Sequence, residues 1–416
     1  MNKNLVFIIV VAMLACNTLS IPTSSGIPKE SSPGAGVTPT SIPTLLQGPN
    51  ENIVIAQLNL WYFGDGCHGG FEAFDCSGKR TTPFEPALGH TYFSSDWAVL
   101  KQQIDWAADY GVDAFSLEWT TPREISGSLE ENIDDAFLKA PNLDRIRWVI
   151  FYDLVLRVLQ TPGLTVDFSQ GMNFDDPEVY NTFVADFDHF ARKYFKESHY
   201  LSIDGRPVVY VWGTWNAIGN FSGAFKEARQ KASEQGYDVY IVGDIIRSDR
   251  FNKQLASAYD ANTNFTFLIP GMNGWPKDVE QASLEQEKIL KKWQANIQDL
   301  KVTGREETIN LQPGWAPQYD DRLRGKDGGN IYVPALNKDQ VIHMAEVARN
   351  YSQPTGSKGW KLVWINTWNN WAEATTIEPT ADLGDKYPAG NYGFDMLEIV
   401  REVFGPETFS NSISTP

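Results

Sequence analysis

The chain has 416 residues, 42% hydrophobic and 21% charged, with Lys+Arg 35 against Asp+Glu 52. That length supports one large core or two small ones, and a formal net charge of -17 repels phosphate backbones and anionic lipid heads, which argues against nucleic acid as a partner. The histidines (His68, His90, His189, His199, His343) show no paired ligand spacing, and no Gly-rich phosphate loop opens a helix, so neither a metal nor an organic cofactor is expected.

Met1-Asn2-Lys3-Asn4 leads into an apolar run from Leu5 to Ala15, too short to span a bilayer and shaped like the apolar core of a secretory signal. The run ends Met13-Leu14-Ala15-Cys16, which resembles a bacterial lipoprotein cleavage box with Cys16 as the lipidated residue. Met13 stands where Leu is usual, and a plain signal peptide cut nearby is the alternative. Residues 1–16 therefore read as an export signal, and residues 17–50, dominated by Ser, Thr, Pro and Gly, as a tether with too little apolar surface to order itself. The expectation is an exported protein, secreted or held at the cell surface, that meets the membrane only through that lipid. Cys67 and Cys76 then remain as a candidate disulfide within one Gly-rich loop, with a buried reduced pair as the alternative.

From Ile53 onward, short β-rich apolar runs alternate with longer amphipathic stretches, the pattern of βα units around a parallel sheet. Strands are expected from Ile53 to Tyr62, Val112 to Glu118, Arg147 to Tyr152, Pro207 to Trp212, Val239 to Gly243, Ala258 to Asn264, Thr308 to Gln312 and Lys361 to Asn366. Helices are expected from Trp97 to Tyr110, Pro177 to Phe195, Leu284 to Leu300, Gln340 to Tyr351 and Gly393 to Phe404. Phe183, Phe187, Phe190 and Tyr194 recur at helical spacing and read as core. About eight such units in residues 51–408, before a short tail at 409–416, predict a single (β/α)8 TIM barrel.

Such barrels carry their chemistry on the loops that follow the strands. The strand ends here hold Tyr62, Glu118 with Trp119, Asp153, Trp212, Asp244, Trp315, and then Trp368, Asn370, Trp371 and Glu373. Breaking a glycosidic bond needs one carboxylic acid to protonate the leaving oxygen and a second group to stabilise or capture the positive sugar, while flat aromatic rings bind the apolar faces of sugars. With 14 Trp in the chain, a poly- or oligosaccharide is the expected ligand. Glu118 and Asp153 have a plainer alternative, as salt-bridge partners at the barrel rim.

The segment from Thr367 to Pro379, Thr-Trp-Asn-Asn-Trp-Ala-Glu-Ala-Thr-Thr-Ile-Glu-Pro, resembles the strand-eight motif of glycoside hydrolase family 99, the endo-α-mannosidases and endo-α-mannanases, and of related proteins from bacterial polysaccharide clusters. Three further pieces agree in order: Leu88 to Asp96, Trp106-Ala107 to Gly111-Val112-Asp113, and Gln312-Pro313-Gly314-Trp315 with Asp320, Asp321 and Arg322. The resemblance implies a cofactor-free glycoside hydrolase acting on an α-linked glycan, with mannosides as the first guess. In that family two glutamates three residues apart act as base on the sugar 2-hydroxyl and as general acid/base. Glu373 falls on the second, but Asn370 falls on the first, and an amide has no useful basicity. After the second strand the family usually shows Trp-Trp, where this chain has Glu118-Trp119.

The resulting expectation makes Glu373 the general acid/base and Glu118 or Asp153 the nucleophile or base. Sugar contacts are expected from Asn370, Trp371, Trp368, Trp119, Tyr62, Trp212, Trp315 and Asp244, with Glu378 organising its loop and Asp320, Asp321 and Arg322 forming a surface network. The rival, from another class, is a non-catalytic glycan-binding lipoprotein on the same barrel. A role in polysaccharide biosynthesis is disfavoured, because an export signal separates the chain from cytoplasmic sugar donors.

Overall fold

The computed structural model describes residues 52–62, 77–89, 92–125, 128–161, 171–247, 251–265, 275–324, 330–388 and 390–405. The export signal with Cys16, the 17–50 tether, the Cys67 and Cys76 pair and the 409–416 tail lie outside the described residues. The principal strands are β1 (Asn52–Leu58), β2 (Ala114–Trp119), β3 (Arg147–Asp153), β4 (Arg206–Trp212), β5 (Tyr240–Asp244), β6 (Ala261–Thr263), β7 in two pieces (Asn310–Leu311 and Gly314–Trp315) and β8 (Trp360–Ile365). They pair in parallel in that order. The first piece of β7 bonds to β6, its second piece bonds to β8, and β8 bonds to β1, so the ladder returns to the strand it started from. The result is a curled parallel sheet of TIM-barrel type.

Six longer helices lie along the chain among these strands: α1 (Trp97–Asp109), α2 (Pro177–Lys193), α3 (Phe221–Glu234), α4 (Val279–Ile297), α5 (Lys338–Tyr351) and α6 (Asp395–Phe404). Because the strands are covered on both faces, they are apolar nearly throughout, and β3 is buried from Trp148 to Asp153. Helix α2 starts where Asp176 caps it and Pro177 opens it, and its buried Phe183, Phe187 and Phe190 pack on the sheet as their spacing requires.

Differences from the sequence expectation have local causes. Strand β1 stops at Leu58, because the Asn59 N–H donates to Asn369 Oδ1 at 2.8 Å and Asn369 Nδ2 donates back to the Asn59 carbonyl at 3.0 Å. Helix α4 begins at Val279, ahead of Leu284, because Asp278 caps it by accepting from the Gln281 N–H at 2.9 Å. Helix α3 and the short helices Glu130–Asp135 and Leu154–Leu159 were not expected; the last is capped by Asp153, itself the final residue of β3.

The seam where β7 crosses from β6 to β8 has its own device. The side chain of Asn264 takes the place of a ladder residue: Gly314 N–H donates to Asn264 Oδ1 at 3.1 Å and Asn264 Nδ2 donates to the Gly314 carbonyl at 3.3 Å. A Cβ on Gly314 would stand 2.2 Å from the Asn264 carbonyl oxygen, so only glycine fits.

At the opposite end of the barrel, Asp260 accepts from Arg206, from Arg229 Nη2 at 2.7 Å and from the Ile241 N–H at 2.8 Å, tying β4, β5 and α3 together. Replacing Asp260 by Ala leaves the largely buried Arg229 without its carboxylate and Arg206 with only the exposed Asp238 as partner; a loss of about 3 kcal/mol in urea unfolding is expected. The loop after β8 is anchored by Glu378, which is fully buried and accepts from Tyr92 Oη and from Gln103 Nε2 of α1, each at 2.9 Å. Burial pushes its carboxyl up to about 7, against the opposing pull of those two donors. A carboxyl raised on folding stabilises the fold at low pH and loses that contribution as pH rises through 7. Glu378→Gln should therefore lose less stability than the parent between pH 5 and 8, by on the order of 3 kcal/mol. Parallel unfolding curves across that range would refute the assignment.

Candidate active site

Along a strand, successive side chains face opposite ways, and this alternation decides what reaches the mouth of the barrel. In β2, Ser116 lines the interior and Glu118 shares its face, while Phe115, Leu117 and Trp119 point outward to the helices. The same parity turns Phe151 and Asp153 of β3, Tyr210 and Trp212 of β4 and Asp244 of β5 inward. Among the described residues, four carboxylates thus belong to the mouth: Glu118, Asp153, Asp244 and, from the loop after β8, Glu373.

Their surroundings differ. Glu118 is 2% exposed and receives one side-chain hydrogen bond, from Gln57 Nε2 of β1 at 3.3 Å. Burial, and then the negative fields of Asp153 and Glu373, push its carboxyl well above the usual range. Asp153 is equally buried, and burial lifts it to about 7 even though the Leu156 and Val155 N–H groups favour its charge. Glu373 is met by three donors: Arg324 Nη1 at 2.9 Å, Asn370 Nδ2 at 2.9 Å and the Tyr319 phenol. Burial raises this carboxyl too, but Arg324 opposes the rise most strongly, while Asp321 adds to it. Asp244 is raised chiefly by burial, and its oxygens are occupied by the Phe265 N–H at 2.7 Å and Arg247 Nη2 at 3.1 Å.

The aromatic expectations need correction. Trp119 is in the outer layer, edge-on to Phe190 of α2 at 4.7 Å between ring centres. Trp315 stacks on Phe404 of α6, and Trp368 packs edge-on against the outward Phe115. Trp371 is buried against Phe84 and donates its indole N–H to Tyr92 Oη at 3.2 Å. Tyr62 is buried beside Tyr92 and spends its hydroxyl on the Asn369 carbonyl. None of these five presents a ring face to the mouth, because each lies on outward parity or in the packing beneath the loops. Trp212 does face inward, edge-on to the half-buried Trp215 and Phe265, with the guanidinium of Arg247 3.9 Å above the Trp215 ring. Asn370 is tied to Glu373 twice, since its Oδ1 also accepts the Glu373 N–H at 3.3 Å. Asp320 and Arg322 pair at 2.8 Å, but the expected surface network of three does not form, because Asp320 and Asp321 are both buried and Asp321 accepts from the Ile331 N–H at 2.7 Å.

Sequence reasoning missed Gln57, Tyr319, Arg324, Trp215, Arg247 and Phe265. Strand parity alone would have found Gln57, which shares the inward face of β1. Arg324 and Tyr319 reach Glu373 because their segment is held against it, by the Asp320 N–H donating to the Glu373 carbonyl at 2.9 Å and by the antiparallel pairing of Tyr319–Asp320 with Tyr332–Val333, contacts with no local signal.

With this geometry in view, comparison with known proteins is informative. A structure described as a glycoside hydrolase-like protein is 19% identical, with a TM-score of 0.62 over 89% of this chain and 97% of that one. A GH99 endo-alpha-mannosidase from Bacteroides thetaiotaomicron is 13% identical, with a TM-score of 0.58 over 88% of this chain and 100% of that one. Both share the TIM-barrel-like fold. "Uncharacterized protein WxcX" from Xanthomonas campestris pv. campestris is 22% identical over 216 residues, which is 47% of this chain and 28% of that protein. The family described as "Glycosyltransferase WbsX" matches residues 177–389, just over half of the sequence and including Asp244, Arg324, Asn370 and Glu373, and the chain belongs to that family.

Proposed function

We propose that the protein is a glycoside hydrolase that cleaves an α-linked glycan, with mannosides as the first candidates, and that Glu118 supplies the proton while Glu373 works as the anion. The observation that carries this reading is the unequal treatment of the carboxyls at the mouth. Three donors converge on Glu373 and favour its ionised form. Glu118 is buried and faces two other acids, and both effects push its carboxyl well above the usual range. Pairs of acids whose environments push their proton affinities apart are the usual mark of an acid and a nucleophile or base. This reverses the roles expected from the motif alone, and it supplies a second acid where Asn370 offers none.

In the reaction, Glu118 transfers its proton to the glycosidic oxygen as the C–O bond breaks and its electron pair leaves with the departing sugar. Glu373 either bonds to the anomeric carbon or takes a proton from the water that attacks it. Asp153 adds negative charge beside Glu118 and raises its affinity for the proton. The name of the family suggests glycosyl transfer, but a nucleotide-sugar donor brings a diphosphate. The mouth is carboxylate-rich, and its guanidiniums Arg247 and Arg324 are each bonded to an acid. An exported location, by lipid on Cys16 or by secretion, belongs to the same proposal and rests on residues 1–16; it supplies extracellular glycan and no activated donor.

The test is turnover of a panel of α-mannans and α-glucans, read as new reducing ends. Glu118→Gln and Glu373→Gln should each lose about 10²–10⁴-fold in kcat/KM. The pH profile should be a bell: Glu373 must be anionic, so activity falls at low pH, and Glu118 must be protonated, so activity falls above its raised titration point. Asp153→Asn removes a like charge and should move the alkaline limb to lower pH. Full activity in Glu118→Gln overturns the proposal, and saturable glycan binding without turnover favours the non-catalytic alternative.

A further inference from the structure

One layer below Glu118, the barrel interior holds a cavity of about 10 Å³ lined by Gln57, Ser116, Tyr210, Asn264, Trp364 and Asn366, among others. That is room for a single water-sized sphere. Most polar groups around it have protein partners: Asn264 is engaged at both ends with Gly314, and Trp364 donates to Gln312. Three atoms have none among the described residues, namely Gln57 Oε1, Tyr210 Oη and Asn366 Oδ1, and all three residues are more than nine-tenths buried.

The orientation of each amide is read from the bonds at its other end. Asn366 Nδ2 donates to the Phe265 carbonyl at 2.8 Å, so its oxygen is the end left without a protein partner. Gln57 Nε2 donates to Asn59 Oδ1 at 3.0 Å and to Glu118 Oε2 at 3.3 Å, so its oxygen is the free end. The set is therefore two acceptors and one hydroxyl donor, the complement of one water that accepts once and donates twice.

We propose that this cavity binds one water, which accepts from Tyr210 and donates to Gln57 Oε1 and Asn366 Oδ1, and that Gln57 so held is the positioning residue that keeps an N–H on Glu118. The bond sequence has a direction. With Asn366 accepting and Tyr210 donating, the remaining hydrogen of the water needs an acceptor, so a flipped Gln57 would set donor against donor there and, once Glu118 has released its proton, oxygen against the carboxylate at its other end. An N–H on Glu118 favours its anion and tempers the rise caused by burial and by the two acids that face it, Asp153 from β3 and Glu373 with Arg324 behind it. Tyr210 in turn faces Asp244 and Arg247 of the β5 side. The device would keep Glu118 acidic enough to release its proton.

The kinetic part rests on Glu118 as proton donor; the water and the Gln57 orientation do not, so two further readouts stand apart from turnover. A high-resolution crystal structure of the glycan-free protein should show one water within hydrogen-bonding distance of all three atoms, weakened or displaced in Tyr210→Phe. Infrared difference titration should show a protonated-carboxyl band, assigned by its loss in Glu118→Gln, whose midpoint rises by about one pH unit in Gln57→Met. A smaller rise in the same direction is expected in Tyr210→Phe, which is conservative enough to fold if Gln57→Met does not. If the parent turns over a glycan, the alkaline limb of its pH profile should move with these midpoints. Density without the water, or unshifted midpoints in both variants, overturns the proposal. Absence of turnover with the water and the shifts in place overturns the hydrolase reading alone.

Discussion

A strand gives only every second side chain to the inside of a barrel, and that constraint governs which residues of this chain can meet a ligand. Glu118 and Trp119 are neighbours in sequence yet belong to different layers, one facing the mouth and the other wedged against α2. Asp153 and Tyr152 divide in the same way, since the Tyr152 hydroxyl bonds to Asp186 of α2 at 2.7 Å while Asp153 faces inward and caps the next helix. Polar chemistry at the mouth and aromatic packing outside it are two outcomes of one geometric rule.

The charges at the mouth are not balanced alike. Asp244 and Glu373 each have a guanidinium, and pairing of this kind is what makes a buried carboxylate tolerable in a low dielectric. Glu118 and Asp153 rely on uncharged donors, an amide in one case and backbone N–H groups in the other, and burial pushes both carboxyls up with no cation to oppose it. The family match begins at residue 177 and covers Asp244, Arg324 and Glu373, whereas Gln57, Glu118 and Asp153 precede it. The acids bonded to a guanidinium thus sit in the family-matching part, and those met by uncharged donors outside it.

Much of the barrel was legible because its strands are short apolar runs and its helices carry strong spacing; α2, α5 and β4 fall within a residue or two of their expected bounds. Short elements were read less well: the strand expected from Ala258 to Asn264 is only the three-residue β6, and the six-residue helix after β3 was missed, since so few positions cannot establish a period. At the site, position after a strand picked out Glu118, Asp153, Asp244 and Glu373, but the same criterion applied to large rings failed, because proximity to a strand end does not say which face a residue occupies. Arg324 and Tyr319 were invisible for a different reason. They approach Glu373 across roughly fifty residues of chain, through a hairpin whose strands are two residues each.

Gly314 carries a consequence for how such a barrel can vary. Where β7 passes from one neighbour to the next, the backbones of residues 264 and 314 are in contact with nothing between them, so the closure has no side-chain volume to exchange. Enlarging or reshaping the lumen by trading large for small residues is open elsewhere in the wall but not along this line. Diversity in what the barrel accommodates must then be written into its rim, while this stitch stays a fixed point around which the rim is redrawn.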